Sequence, residues 1–322
     1  MTPLSVTVKV PASTANLGPG FDTLGMALGK YLTIRLELSE QPEVELLGDN
    51  LEGLPQDQSN LIYQMAERIF AKANKPVPTF RMLMRSEIPL TRGMGSSAAA
   101  IVAGLVAGNV LAGRPFDDNQ IYGMAAEIEG HPDNVGAAMF GGMVVTGLDG
   151  EQAVHMRFSP PEDLECLLVI PMFELSTEKA RHVLPSQVNM KDAVHNISRS
   201  SLITAAFASG QMELLSFAMK DVLHQPYRAE LIPGMKELLE GAVQHGALGA
   251  ALSGAGPTMI AFCSKKQSRA AELERFFRSV MERYKVPVVV ERIAPDLQGA
   301  QLIAEGDPAN RSFDIREGEV CG

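Results

Sequence analysis

Two glycines and two serines stand immediately ahead of an apolar run in Pro89-Leu-Thr-Arg-Gly-Met-Gly-Ser-Ser-Ala-Ala-Ala100. The run, Ile101 to Ala112, has helix length and stops at Gly113, a suitable residue just past a helix C-terminus. The glycines therefore fall where a loop enters a helix. Free amide groups and the positive end of the helix dipole converge there, an environment that holds phosphate. Gly93 and Gly95 would let the backbone come close to such a ligand. The common nucleotide patterns do not fit. No Lys follows the glycines, and Gly93-Met-Gly-Ser-Ser-Ala lacks the third glycine and the ribose-binding acid of a dinucleotide site. A tight loop on a core helix would look the same, so the loop gains weight only from its companions.

Several polar residues outside that loop could contact a ligand or merely brace the fold. Asn16 and Asp22 lie in the stretch from Pro11 to Gly29, rich in Gly, Pro, Asn, Ser and Thr. Asn16 is as well suited to an Asx turn as to a ligand, whereas the Asp22 carboxylate suits an ammonium group. His131 follows Gly130 and precedes Pro132, on a bend beside Asp133 and Asn134, where a polar loop favours a substrate contact. Thr177 and Arg181, four apart, share a helix face, and Arg228 follows Pro226-Tyr227. A lone arginine is usually solvated, but two guanidinium groups together can grip a carboxylate. Ser253-Gly-Ala-Gly256 is either a turn between strands or a set of amides that closes over phosphate.

The elements that must position these residues can be read from periodicity. Leu4–Val10 and Tyr31–Leu38 alternate as strands, Asn60–Ala73 has helical spacing, and Pro78–Arg85 is a strand before the Gly/Ser loop. Asp117–Glu129 is a helix broken by Gly130-His-Pro-Asp-Asn134, and a hairpin-like β region runs from Gly141 to Phe158. Beyond Pro160-Pro161 come a strand at Leu164–Ile170, helices at Ala193–Ala208 and Glu230–Gln244, and strands at Leu248–Leu252 and Met259–Cys263. A charged helix, Gln267–Tyr284, precedes a strand at Val286–Arg292. Strands and helices do not alternate regularly, so the class is α+β rather than doubly wound.

Bulk properties set bounds. A chain of 322 residues supports two domains, and 46% hydrophobic with 20% charged residues is ordinary for a folded soluble protein. A formal net charge of −10 argues against nucleic acid or an anionic membrane as partner, so any anion site is local. Cys166, Cys263 and Cys321 lie far apart and suit a reducing compartment without disulfides. Asn196-Ile-Ser198 and Asn310-Arg-Ser312 match a glycosylation pattern that carries no meaning without a secretion signal, and the N-terminus has no signal-like apolar block. The uncharged stretch Gly93–Gly113, with Gly104-Leu-Val-Ala-Gly108, is expected to be a close-packed core helix rather than a membrane span.

Four segments together resemble the GHMP kinase superfamily, and within it the homoserine kinase branch. They are Val10-Pro-Ala-Ser-Thr-Ala-Asn-Leu-Gly-Pro-Gly-Phe-Asp-Thr-Leu-Gly25, the Pro89–Ala100 loop, Glu127-Ile-Glu-Gly-His-Pro-Asp-Asn134 and Leu252-Ser-Gly-Ala-Gly-Pro-Thr258. The second and fourth are shared across the superfamily; the first and third are specific to the branch. The Lys and Gly-Glu-His of mevalonate kinase-like members and the sugar signature of galactokinase-like members are missing. The resemblance implies a two-domain α+β GHMP kinase-like fold, with a mixed β/α ATP-binding domain over 1–159 and a C-terminal ferredoxin-like α/β sandwich over 160–322. It implies ATP-dependent phosphorylation of the L-homoserine hydroxyl, in threonine biosynthesis, by a cytoplasmic enzyme using Mg²⁺. A homodimer is compatible with it; no nucleic acid or membrane partner is expected.

The resemblance also distributes roles. ATP phosphates are expected at Pro89, Leu90, Thr91, Arg92, Gly93, Met94, Gly95, Ser96 and Ser97, closed by Gly254 and Gly256. Asn16, Asp22, His131, Thr177, Arg181 and Arg228 are expected to bind the amino acid, the two arginines at its carboxylate. Ser97 and Glu127 are the expected Mg²⁺ ligands, and Asn134 joins them as a catalytic residue. Glu129 competes with Glu127 for the metal; residues two apart on a helix face different ways. Asp133 is a weak candidate for general base, and none is assigned. The rivals are another small-alcohol kinase of the superfamily, and a silent relative that binds ligand without turnover. A silent relative would be expected to lose the loop glycines, Ser97 or Glu127.

Overall fold

The structure, a computed structural model, describes residues 3–150, 152–267, 269–304, 307 and 313. Cys321, the Asn310-Arg-Ser312 pattern and most of the tail after Gly299 lie outside the described residues.

The N-terminal alternation folds as β1 (Ser5–Ala15), which pairs antiparallel with β2 (Leu24–Ser39). Both strands outrun the alternating segments, because their inner ends are buried on both faces and lose the period-two signal. β3 (Glu43–Leu47), not anticipated from the sequence, pairs parallel with β4 (Thr79–Ser86), and β5 (Met143–Asp149) and β6 (Gln152–Phe158) form the expected hairpin. With β11 (Gln301–Ile303) they make a seven-stranded sheet among the described residues, β11-β1-β2-β4-β3, with β5 also on β2.

Against this sheet pack α1 (Leu61–Lys72), α2 (Ser96–Leu111), α3 (Asp118–Glu129) and α4 (Pro132–Phe140). Local chemistry fixes their ends. Asn60 caps α1 by accepting from the Ile62 amide, and Asp117 with Gln120 forms a capping box on α3. α2 is buried nearly all round, and it lies close to α1 because Gly104 and Gly108 carry no side chain. A Cβ at Gly108 would stand 2.8 Å from the Ala66 Cα. Among the described residues no helix is long and apolar enough to cross a membrane.

β7 (Leu164–Pro171), β8 (Gly249–Leu252), β9 (Met259–Ser264) and β10 (Val288–Ile293) form a second, antiparallel sheet in the order β10-β7-β9-β8. Helices α5 (Thr177–His182), α6 (Met190–Ser209), α7 (Leu215–Ala218), α8 (Gln225–Arg228) and α9 (Met235–Gly241) fill the β7–β8 connection, and α10 (Ala270–Arg283) joins β9 to β10. Helical cover between the first and second strands and between the third and fourth is the ferredoxin-like arrangement. The chain then returns to the first sheet: β11 pairs with β1, and Asp296 accepts from the Tyr31 hydroxyl at 3.0 Å. A division at Pro160 therefore separates the two sheets but not this last segment.

Candidate active site

The site lies between the two sheets, in a cavity of about 140 Å³ lined by residues of both halves. Its base is the loop into α2. Gly95 precedes the helix in left-handed backbone (φ 69°), with no side chain capping the first turn. Gly93 is also left-handed (φ 74°), and a Cβ there would run into the Ser253 carbonyl and the Gly256 backbone. Ser253 fastens the two glycine segments together, donating through Oγ to the Gly93 carbonyl at 2.6 Å. Ser96, Ser97, Thr91, Gly254 and Gly256 line the same cavity.

The other loop residues lie outside this cavity. Arg92 donates to the Pro171 and Phe173 carbonyls, at 2.8 and 2.9 Å, and so pins the loop to β7. Met94 is buried, and its carbonyl accepts from the Ser13 amide. Pro89, Leu90 and Arg92 face a neighbouring cavity of about 400 Å³.

Glu127, expected beside Ser97, does not reach it in the structure. Glu127 turns to solvent, its side chain 51% exposed and 3.6 Å from Arg68. Glu129 faces the cavity and accepts from Ser97 Oγ at 2.9 Å. The helix turns about 100° per residue, so positions two apart point in nearly opposite directions and only one can meet Ser97. Burial pushes the Glu129 carboxyl up, against the lowering effects of His131 and the Ser97 hydrogen bond.

The Gly130-His131 bend is a corner between helices rather than an open polar loop. Gly130 (φ 82°) ends α3, and Pro132 opens α4 at once. Asp133 is consequently 1% exposed, accepting from the Asn134 amide and standing 2.7 Å from His131 Nδ1. Burial opposes protonation of His131, but the hydrogen bond and charge of Asp133, with Glu129 and Asp22, raise its pKa above the ordinary value. Asn134 accepts from Ser13 Oγ at 2.8 Å. Ser13 lies within the first motif, yet its role depends on a partner 121 residues away, which no local spacing reveals.

In the turn between β1 and β2, Asn16, Leu17 and Asp22 all take left-handed backbone, with φ 70°, 47° and 53°. The Asn16 side chain lines the cavity and braces this turn: it accepts from the Asp22 amide and donates to the Gly254 carbonyl, both at 3.0 Å. Arg181 on α5 forms a two-pronged pair with Asp22 at 2.8 and 2.9 Å, which raises its pKa. Thr177, the first residue of α5, lines the cavity. Arg228 is 2% exposed and donates to the carbonyls of Ala180 and Gly254, each at 3.0 Å. Burial, then the neighbouring Arg181 charge, lowers its pKa to about 10. The Phe21 ring, which the sequence did not single out, is within cation–π reach of both guanidinium groups, 5.4 Å from Arg181 and 5.3 Å from Arg228. A glycine-rich loop at a helix N-terminus, a carboxylate–hydroxyl pair and two arginines near an acid thus meet in one small cavity.

Comparison with known proteins agrees with this arrangement. The GHMP kinases N terminal domain model matches residues 60–142, and the GHMP kinases C terminal model matches 203–283. Fold and site together define a small-molecule kinase of the GHMP class. The homoserine kinase of Deinococcus radiodurans is 47% identical over 277 residues, covering 86% of this chain and 90% of that protein. That of Moorella thermoacetica is 43% identical over 296 residues, covering 92% and 99%. The crystal structure of homoserine kinase from Cytophaga hutchinsonii superposes with a TM-score of 0.83 at 26% identity, covering 94% of this chain and 98% of that one. The chain belongs to the homoserine kinase family of the GHMP kinases.

Proposed function

We propose that this chain transfers the γ-phosphoryl group of ATP to the side-chain hydroxyl of L-homoserine, giving O-phospho-L-homoserine and ADP on the route to threonine. The observation that carries this reading is the meeting, in one cavity, of an uncapped glycine-flanked helix N-terminus with Asp22, Arg181 and Arg228. A zwitterionic amino acid places its ammonium group at Asp22 and its carboxylate between the two arginines. The amides of Gly93–Ser97, with Gly254 and Gly256, receive the phosphates, and the adjoining cavity at Pro89 and Leu90 takes the nucleoside.

Ser97 and Glu129 fit Mg²⁺. They are two hard oxygen donors 2.9 Å apart, and Glu129 is a carboxylate whose charged form burial disfavours until a cation stands beside it. Bound there, Mg²⁺ supplies neutralisation of phosphate charge. The protein's own contribution is to position the hydroxyl in line with the γ-phosphorus and to hold both ends of the substrate away from water. As the new O–P bond forms, the bond to the ADP oxygen breaks, and the hydroxyl proton leaves to a phosphate oxygen or water. Asp133 is already committed to His131 and the Asn134 amide, so it orients those groups rather than taking that proton. ATP consumption measured with homoserine, serine, threonine and mevalonate tests the reading. Homoserine should far outpace mevalonate, which has no amine for Asp22; equal turnover of mevalonate would overturn the assignment.

A further inference from the structure

Directly beneath the amino-acid end of the cavity lies a buried polar group that none of the chemistry above uses. His224 stands immediately before α8 and is 1% exposed. Arg228 Nη1 is 3.2 Å from its Nδ1, and the Gly18 carbonyl is 2.7 Å from its Nε2. A guanidinium can only donate and a carbonyl can only accept. Nδ1 therefore carries no proton and Nε2 carries one. Both partners impose the same neutral tautomer.

The two partners belong to different parts of the site. Gly18 lies in the turn that presents Asn16 and Asp22, three of whose residues hold left-handed backbone that non-glycine residues adopt at a cost. The turn is also held at the Pro19 carbonyl by Asn196 Nδ2, at 3.3 Å. Asp221 gathers this support from below. It accepts from Asn196 Nδ2 at 2.7 Å and from the amides of Leu223, His224 and Gln225. Arg228 carries the other end. Its bonds to Ala180 and Gly254 run to other segments, whereas His224 lies four residues back on its own chain and fixes the guanidinium relative to the backbone that bears it. Among the described residues nothing takes Arg228 Nη2, which leaves that edge for a ligand. The Phe21 ring packs on His224 at 5.2 Å, closing the set.

We propose that His224 is the positioning residue of the amino-acid pocket. Its Nδ1 aims Arg228 at the substrate carboxylate, and its Nε2–H holds the Asn16–Asp22 turn against α8. The proposal rests on the homoserine reading, and the wild-type chain separates the two. A wild type inactive on homoserine overturns that reading; an active wild type with indifferent His224 variants overturns this proposal alone.

The test is steady-state kinetics of the full chain with ATP, Mg²⁺ and L-homoserine for His224→Asn, His224→Leu, Arg228→Lys and the double variant His224→Leu/Arg228→Lys. His224→Leu, which removes both bonds, should raise homoserine KM by about tenfold or more while leaving ATP KM within about twofold. His224→Asn, whose Oδ1 can still accept from Arg228 while the bond to Gly18 is lost, should recover only part of that loss and keep a few-fold rise. The double variant should lose less than the product of the single losses, because the two residues act as a unit. An unchanged homoserine KM in His224→Leu, parallel rises in both KM values, or losses that multiply would overturn the proposal. If circular dichroism shows that His224→Leu does not fold, His224→Asn decides. A rise of a few-fold in homoserine KM alone supports the role, and an unmoved or parallel change refutes it.

Discussion

Ser97 Oγ and the Glu129 carboxylate stand 2.9 Å apart, whereas Glu127, two residues earlier on α3, meets Arg68 at the surface. Glu129→Gln should therefore lower kcat by roughly a hundredfold or raise the Mg²⁺ requirement, while Glu127→Gln stays within about twofold of wild type. A magnesium titration of both variants reverses the assignment if the losses fall the other way. Arg181→Lys keeps the charge but loses the planar fork that now meets Asp22. Its homoserine KM should rise roughly tenfold to a hundredfold, with ATP KM unmoved, since the phosphates are held elsewhere. His224 gives a pH signature. Burial, assisted by Arg228 and opposed by Asp221, the Gly18 hydrogen bond and Asp22, lowers its pKa below the ordinary value. The unfolded chain therefore binds a proton that the folded chain refuses. This contribution to stability is complete above about pH 6.5 and is lost as the pH falls from there through the folded pKa. In thermal melts from about pH 8 to about pH 5, the stability advantage of wild type over His224→Asn should shrink below about pH 6.5; a constant difference would contradict this.

At the scale of elements, the loop into α2 depends on backbone that only glycine adopts easily. A Cβ at Gly95 would strike Ser13 Oγ, the group that holds Asn134. Gly95→Ala should raise ATP KM by at least about tenfold and cost about 1–3 kcal/mol of stability. Nucleotide titration and urea unfolding that both match wild type would show that the loop tolerates a side chain. This element was legible because its signals are local: glycines directly before an apolar run of helix length that stops at Gly113. α4 was not legible. Pro132-Asp-Asn134 has the composition of a loop, and only the sheet and α2 packed around it make it a buried helix. β3 and β11 are short strands whose pairing partners lie far along the chain, so their own residues carry little signal.

Across the whole molecule, the cavity draws Asp22, Glu129 and His131 from one half and Arg181 and Arg228 from the other, and the last described strand returns to the first sheet. Asp296 secures that return, accepting from the Tyr31 hydroxyl and from the amides of Gln298 and Gly299. Burial and this carboxylate push the Tyr31 pKa up to about 12. Asp296→Ala should cost about 1–3 kcal/mol by leaving those donors unpaired, lowering Tm while homoserine turnover at low temperature persists. A variant as stable as wild type would place the tail outside the cooperative fold. The family, the two-domain α+β class and the glycine-rich loop at the entry to α2 were legible in the sequence alone. Motif residues sit close together along the chain there, and helix caps, glycines and apolar periodicity act within a few positions of themselves. The contact of Glu129 rather than Glu127 with Ser97, the burial of Asp133, the pairing of Asp22 with Arg181 and the contacts of His224 were decided only by tertiary structure. Each depends on which way a side chain points once two sheets have closed on each other, and on partners up to 206 residues away.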